Sequence, residues 1–166
     1  MIAVLVDDLA FVAADAILRP ADAALAPLTP AIARLDRQAG DRFTAQRQVQ
    51  QPLGAGGAVV TGGGDLAAPF VVHVILQDEG TPTDRGTVER ALLAAWQQAD
   101  AWQLARVAAP PVGTGPGQLD LEDAAELLVT TWLRAGGTDP ARELRIVVER
   151  EEDRETVDAV VRRYQL

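Results

Sequence analysis

Residues 104–125, LARVAAPPVGTGPGQLDLEDAA, place a strand, a glycine-rich loop and the start of a helix in direct succession. Leu104–Ala108 is a short apolar run, Pro110–Gln118 is rich in glycine and proline, and Asp120 opens a segment with helical periodicity. In an open α/β sheet, ligands bind where such loops leave the carboxyl ends of the strands. This stretch therefore predicts a layered α/β fold and the edge of that fold at which a ligand would bind.

Strands and helices alternate on both sides of this stretch. Upstream, Asp84–Ala101 has apolar residues at three- and four-residue spacing, which is typical of an amphipathic helix. Downstream, Leu144–Val148 predicts a strand and Glu151–Tyr164 predicts a helix. This alternation favours a largely parallel sheet with helices on both faces. The remaining strands are predicted at Met1–Val6, Asp15–Arg19 (ended by Pro20), Gly56–Thr61 and Phe70–Leu76.

A further helix is predicted after Thr29. Thr29 is a good N-cap, Pro30 suits the first helical turn, and Gly40 suits the position just past the helix end. A second, polar helical piece is predicted from Asp41 to about Gln51. The strands on either side of the turn Gly62–Gly64 are neighbours in the chain, so they are candidates for an antiparallel pair.

Length and composition predict a single domain covering residues 1–166. The 166 residues are 48% apolar and 23% charged, which is ordinary for a globular protein. The formal net charge is −9, so non-specific binding to nucleic acid is not expected. No apolar stretch is long enough to span a membrane, and Met1–Val6 runs directly into two acids, unlike a signal peptide. We therefore expect a cytoplasmic protein with no membrane partner.

Four residue types are absent from the sequence: Cys, Ser, Asn and Lys. Their absence excludes a serine or cysteine nucleophile, a Schiff-base lysine, a P-loop and a thiolate metal site. His73 is the single histidine, which excludes a zinc site built from several histidines. The sequence therefore predicts neither a cofactor nor a metal site. His73 lies in the apolar run FVVHVIL and is predicted to be a core or sheet-face residue, and Trp96, Trp102 and Trp132 are predicted to be core residues.

Candidate ligand-binding residues follow the predicted strands. Three glycines between positions 113 and 117 let the backbone approach a ligand and turn its N–H groups toward it, which suits a phosphate. Asp8, Arg19 and Asp22 lie at or just after the carboxyl ends of two other predicted strands. Each of the three also has a structural alternative, because Asp8 can end a strand, Asp22 can be a turn residue, and Arg19 can pair with a surface acid.

Six segments spread over residues 1–166 share the order and spacing of a known family. They are IAVLVDDL, ADAILRPAD, VVTGGGDLAAPFVVH, APPVGTGPG, DLEDAAELL and LRIVVEREEDRETVDAV. Together they resemble the macro domain family. The resemblance implies a three-layer α/β/α fold around a mixed, mostly parallel six-stranded sheet. It also implies binding of ADP-ribose or a related NAD-derived nucleotide, and some branches of the family hydrolyse ADP-ribosyl adducts.

The resemblance implies roles for residues at matching positions. Asp8 matches the acid that accepts a hydrogen bond from the adenine amino group, and residues 113–115 match the start of the phosphate-binding loop. Residues 116–118 stand where the family has an apolar, often aromatic residue and a glycine near the distal ribose. Arg19 and Asp22 stand at the two asparagine positions of the family. The candidate ligand-binding residues are Asp8, Arg19, Asp22, Gly113, Thr114, Gly115, Pro116, Gly117 and Gln118.

Other family positions carry residues that cannot perform the family's chemistry. The glycine run falls on residues 27–30, where Pro27 and Pro30 have no N–H to offer a phosphate. The hydrolase acid falls on Ile32, and the aromatic residue that faces adenine falls at about Glu149. These departures favour a non-catalytic module that binds ADP-ribose or a related nucleotide, either free or attached to a protein.

Two other functions stay open from the sequence. The chain could be a protein-interaction module that kept the fold and lost the pocket. It could instead be a hydrolase of ADP-ribosyl adducts that uses an unusual carboxylate, Asp22 or Asp8. In that hypothesis a neighbouring Arg19 would keep Asp22 ionised and able to activate water.

Overall fold

Six strands form one mixed sheet in the computed structural model, which describes residues 1–80, 83–115 and 118–165. The strands are β1 (Ile2–Val6), β2 (Ala16–Asp22), β3 (Ala58–Gly62), β4 (Phe70–Gln77), β5 (Arg106–Ala109) and β6 (Glu143–Val148). Their order across the sheet is β1-β6-β5-β2-β4-β3. Among these strands β3 runs antiparallel to β4, and the other neighbours are parallel. The predicted mixed, mostly parallel sheet is confirmed.

Helices cover both faces of the sheet. The helices in the described residues are α1 (Pro30–Gln46), α2 (Arg85–Ala101), α3 (Leu121–Arg134), α4 (Glu151–Tyr164) and a short 3₁₀-helix at Leu9–Phe11. Leu18 and Val72 pack with α2, α3 and α4, whereas Ile17 and Val71 pack with α1 and the 3₁₀-helix. This alternation is expected for strands buried on both faces. The three-layer α/β/α fold is therefore confirmed. No helix within the described part of the chain is long and apolar enough to cross a membrane.

Helix α1 has a kink at Gly40, where φ is 85°. Its N-terminus is as predicted, because the Thr29 hydroxyl oxygen accepts a hydrogen bond from the Ile32 N–H at 3.3 Å. At Gly40 the backbone leaves helical geometry, with a ψ of −175°, so the first helical piece ends at this glycine as predicted. A second piece follows it directly, and that piece ends at Gln46 rather than at about Gln51.

The prediction that Pro20 ends β2 is wrong, because the strand continues to Asp22. Within the described residues, β2 pairs with β5 at Ala16 and Ile17 and no farther along the strand. Proline is tolerated on such an edge. The pairing of β2 with β4 meanwhile continues through Pro20.

Two of the three tryptophans lie in the core. Trp96 and Trp132 are fully buried and pack edge to face, with ring centroids 5.0 Å apart. Trp102, which was predicted to be buried, is 52% exposed at the end of α2 and packs against Phe70. The helical spacing that placed it in the core does not apply, because α2 ends one residue earlier at Ala101.

Candidate functional site

A crevice of about 480 Å³ lies at the carboxyl ends of β1, β5 and β6. This is the edge of an open α/β sheet at which ligands bind, and small-molecule sites have volumes of about 300–1,000 Å³. Four segments form its walls: residues 7–9 after β1, the first turns of α1, the loop after β5, and the junction between β6 and α4. The crevice is therefore both placed and sized to hold a small molecule.

Asp8 lines the crevice directly after β1. Oδ1 of its carboxylate accepts a hydrogen bond from the Ala10 N–H at 3.0 Å and so caps the 3₁₀-helix. Asp7 accepts a hydrogen bond from the Asp8 N–H at 2.7 Å, and its own N–H donates to the Val148 carbonyl at 3.0 Å. These bonds tie the end of β1 to the end of β6. The exposed Asp8 carboxylate is consequently held in a defined position on the crevice wall.

The first turn of α1 forms a second wall, to which Thr29, Ala31 and Ile32 contribute. Pro30, the first helical residue, has no N–H, and the amide of Ala31 has no acceptor within the helix. The positive end of the helix dipole lies at the same place. Ile32 is apolar and 3% exposed, and this turn carries no acidic residue. The wall thus favours an anion but supplies no acid or base.

The loop after β5 forms a third wall of the crevice, through Gly113, Thr114 and Gly115. Gly113 has a φ of 102°, which requires glycine, and its carbonyl accepts a hydrogen bond from the Leu119 N–H at 3.0 Å. A Cβ at Gly115 would lie 3.0 Å from Cγ2 of Thr29. The loop and the start of α1 are therefore in contact, and together they enclose one end of the crevice.

The second half of the predicted phosphate loop is described only in part. Pro116 and Gly117 lie outside the described residues. Gln118 is exposed and is not among the described residues that line the crevice. Its N–H donates to the Gly115 carbonyl at 2.9 Å, which closes the loop before Leu119.

Arg19 does not reach the crevice, contrary to the prediction. Its side chain is fully buried beneath α1, where Nε donates to Asp36 Oδ1 at 2.8 Å and Nη2 donates to Asp36 Oδ2 at 2.7 Å. The guanidinium also lies 5.6 Å from the centre of the Phe43 ring. A buried guanidinium needs an acidic partner. One feature of the sequence could have predicted this ion pair: Asp36 is a charged residue next to Leu35 in the buried stripe of α1.

Asp22 also lies outside the crevice. Its Oδ1 accepts hydrogen bonds from the N–H groups of Ala24 and Ala26, both at 2.9 Å, and so shapes the turn after β2. β2 instead contributes Pro20 to the crevice lining. The two residues at the family's asparagine positions, Arg19 and Asp22, therefore make structural contacts away from the crevice.

His73 is a fully buried core residue, as the sequence predicts. A guanidinium can only donate, so Nδ1 of His73 accepts from Arg19 Nη1 at 3.2 Å and Nε2 donates to Thr61 Oγ1 at 2.8 Å. The Thr61 hydroxyl in turn donates to the Gly62 carbonyl at 3.1 Å. Burial, followed by the positive charges of Arg19 and Arg47, lowers the pKa of His73 to about 3. The ring therefore serves to satisfy Arg19 and not to transfer protons.

Charges of both signs line the crevice. They are the acids Asp7, Asp8, Glu149 and Asp153 and the bases Arg34 and Arg150. Arg34 is ion-paired with Glu149, and Arg150 with Asp153. Within the described residues, no three potential metal ligands are grouped in a way that could hold a metal ion.

The fold has counterparts in known proteins. A family model described as the macro domain matches residues 31–128. This chain belongs to the macro domain family. The family resemblance found in the six sequence segments is thereby confirmed.

Sequence relatives of this macro domain are known from several organisms. An uncharacterized protein of Mycobacterium tuberculosis is 32% identical over 115 residues, which cover 69% of this chain and 32% of that protein. An uncharacterized protein of Aeropyrum pernix is 30% identical over 126 residues, which cover 75% of this chain and 67% of that protein. The matched region thus spans about a third of the length of the mycobacterial relative.

Solved macrodomains have the same fold. A point mutant of the Oceanobacillus iheyensis macrodomain, solved with ADP-ribose, has a TM-score of 0.83 and 15% identity, covering 97% of this chain and 91% of that one. The Trypanosoma brucei macrodomain in complex with ADP has a TM-score of 0.80 and 17% identity, covering 96% of this chain and 68% of that one. At these identities the likeness establishes the fold.

Proposed function

We propose that this macro domain binds ADP-ribose, or a related NAD-derived nucleotide, in the crevice and does not hydrolyse it. The observation that carries the proposal is that Asp8, the N-terminus of α1 and the loop 113–115 line one crevice. Solved macrodomains of the same fold hold ADP-ribose or ADP. The ligand is either a free nucleotide or an ADP-ribosyl group on a protein, because both present the same adenosine diphosphate.

Asp8 is assigned to the adenine end of the ligand. An ionised carboxylate accepts a stronger hydrogen bond from an amino group than a neutral acceptor does. The Ala10 N–H uses part of the carboxylate's capacity, and a carboxylate has about four lone-pair sites in all. Asp8 can therefore cap the 3₁₀-helix and accept a hydrogen bond from the ligand at the same time.

The diphosphate is assigned to the space between the loop 113–115 and the start of α1. Both segments offer backbone N–H groups, and α1 adds the positive end of its dipole. Gly113 and Gly115 have no side chain that would hold a phosphate away from the backbone. Pro30 removes one donor, so we expect a weaker hold on the phosphates than a full glycine run would give.

The residues of the crevice support binding without catalysis. Ile32 takes the place of the hydrolase acid and lies in the wall as an apolar side chain. Asp22 was the alternative candidate for the hydrolase acid. Its carboxylate accepts hydrogen bonds from two backbone N–H groups and lies away from the crevice. Asp8 lines the crevice but lies on the wall assigned to adenine.

Replacing Asp8 by Asn is expected to weaken ADP-ribose binding about tenfold, the usual effect of losing a charged hydrogen-bond partner. Asn keeps an oxygen that can accept from the Ala10 N–H, so the cap survives while the negative charge is lost. Calorimetric titration with ADP-ribose, ADP, NAD and AMP measures the change and ranks the ligands.

Asp22→Asn is the matched control for this variant. Asp22 is likewise an acid at the end of a strand and accepts backbone hydrogen bonds, but it lies outside the crevice. We expect its affinity for ADP-ribose to equal that of the unchanged chain. Equal losses in both variants, or no loss in Asp8→Asn, would contradict the assignment of Asp8.

We expect little or no turnover of a mono-ADP-ribosylated protein or of O-acetyl-ADP-ribose. Loss of a general acid or base costs about 10²–10⁴ in rate, and loss of preorganised donors costs about 10²–10³ more. Chromatographic detection of released ADP-ribose, with Asp22→Ala alongside, is the measurement. Robust turnover that disappears in Asp22→Ala would make Asp22 a catalytic base and overturn the non-catalytic assignment.

A further inference from the structure

An ion pair between Arg34 and Glu149 joins two walls of the crevice. Arg34 lies on the second turn of α1, Glu149 directly follows β6, and Nη2 of Arg34 donates to Oε1 of Glu149 at 2.7 Å. Both residues line the crevice, together with the apolar side chains of Leu35 and Val147. Because the two partners are 115 positions apart in the sequence, the bond fixes the guanidinium relative to both walls.

This ion pair lies at the same side of the crevice as Asp8. The N–H of Asp7 donates to the Val148 carbonyl at 3.0 Å, which ties the end of β1 to the residue that precedes Glu149. In the proposed function, Asp8 accepts a hydrogen bond from the amino group of the ligand's base. A base held in this way lies beside the end of β6, where Arg34 and Glu149 bridge the crevice.

The hydrogen bond to Glu149 does not cover the flat faces of the Arg34 guanidinium. The five N–H donors of a guanidinium lie in its plane, so a carboxylate that accepts from one of them is placed at the edge of the group. The Arg34 side chain is 52% exposed, and within the described part of the chain it has no second hydrogen-bond or ion-pair partner. A flat cation that is held at its edge is thus available to a ligand in the crevice.

We propose that the Arg34 guanidinium, held at its edge by Glu149, is the surface on which the base of the ligand stacks. The proposal rests on the proposed function, which supplies an adenine nucleotide as the ligand. Guanidinium planes stack on nucleobases, because the face of a base attracts a cation and a guanidinium is weakly hydrated. Glu149 fixes the group before the ligand arrives, which reduces the conformational entropy lost on binding.

This arrangement gives the crevice a preference for ligands that carry a base. Asp8 meets the edge of the base and Arg34 meets its face, while the diphosphate lies at the loop 113–115 and the start of α1. Glu149 occupies the edge of Arg34 at which a phosphate would otherwise bind. The crevice is therefore expected to bind an adenine nucleotide more tightly than a sugar phosphate without a base.

Arg34→Lys tests the stacking role, because lysine keeps the positive charge and can pair with Glu149 but has no flat face. This variant is expected to weaken the binding of both ADP-ribose and adenosine about three- to tenfold, the range of a cation–π contact. Ribose 5-phosphate, which has no base, is expected to bind unchanged. Calorimetric titration measures the three affinities. Arg37→Lys is the matched control, because Arg37 is an exposed arginine of the same helix that does not line the crevice.

The three probes separate stacking on the base from contact with a phosphate. Weaker binding of ribose 5-phosphate to Arg34→Lys would show that Arg34 holds a phosphate. Unchanged binding of adenosine would show that the flat face of Arg34 is not used. Either result overturns the proposal.

The same titrations separate the stacking role from the proposed function. If Arg34→Lys binds ADP-ribose and adenosine as tightly as the unchanged chain does, the stacking role is overturned and the proposed function stands. If the unchanged chain binds adenosine through Arg34 but binds ADP-ribose no more tightly, the stacking role stands and the assignment of the diphosphate fails. Failure of the unchanged chain to bind either compound overturns both.

Discussion

Replacing Asp36 by Asn is expected to lower the free energy of unfolding by about 3–5 kcal/mol, the usual cost of removing one partner of a buried ion pair. The Arg19 guanidinium is fully buried, and both of its bonds to Asp36 would be weakened or lost. Its other contacts, the His73 ring nitrogen and the face of Phe43, carry no negative charge. The unpaired cation would therefore remain inside the protein without a counterion in contact with it.

Urea unfolding followed by circular dichroism measures this loss. Asp41→Asn is the control, because Asp41 is an exposed acid on the same helix and its replacement is expected to change stability by less than about 0.5 kcal/mol. Replacing both partners of the pair with apolar residues, as in Arg19→Met with Asp36→Leu, is expected to cost less than Asp36→Asn alone. A loss in Asp36→Asn no larger than that of the control would show that Arg19 is not held by Asp36.

The second large effect is a pH dependence of stability caused by His73. Its pKa is lowered from 6.5 to about 3 by burial and by the charges of Arg19 and Arg47. Below about pH 6.5 the unfolded chain binds a proton that the folded chain excludes, so stability falls as the pH falls. The slope approaches about 1.4 kcal/mol per pH unit and continues until the pH nears the folded pKa. We therefore expect a loss of roughly 2 kcal/mol between pH 6.5 and 5.

This window isolates the histidine, because ordinary aspartate and glutamate side chains titrate at about pH 4. His73 is the single histidine of the chain, so the slope can be assigned to it directly. His73→Gln offers an acceptor for Arg19 and is expected to unfold with little dependence on pH between 5 and 6.5, whatever its absolute stability. The same slope in that variant, or an imidazole NMR signal that titrates near pH 6.5 in the folded chain, would contradict the account.

The fold was predictable because its signals are local. The apolar run Phe70–Leu76, the helical spacing of Asp84–Ala101 and the helix starts after Thr29 and at Asp120 each specify one element, and the structure has all of them. Errors arose where tertiary context decides the outcome. A proline usually ends a strand. Pro20 does not, because it lies beyond Ile17, the last described residue at which β2 pairs with β5.

The sequence predicted a crevice residue correctly only where the end of a strand was enough to place that residue. Asp8 and the loop 113–115 follow directly from the ends of β1 and β5, and both line the crevice. Arg19 was misplaced because its partner, Asp36, lies 17 residues away on a helix that packs over the strand. The ion pair between Arg34 and Glu149 was missed for the same reason, because the two residues are distant in the sequence and meet only where α1 packs beside the end of β6.

An amide NMR titration of the isotope-labelled chain with ADP-ribose tests the central claim most directly. The account predicts saturable shifts at Asp8, at Ala31 in the first turn of α1, and at residues 113–115, because these groups line the crevice. It also predicts smaller shifts with adenosine, which lacks the phosphates. The absence of saturable shifts, or shifts confined to the separate cavity between Asp36, Gly40 and Arg47, would contradict the assignment of this crevice as the nucleotide site.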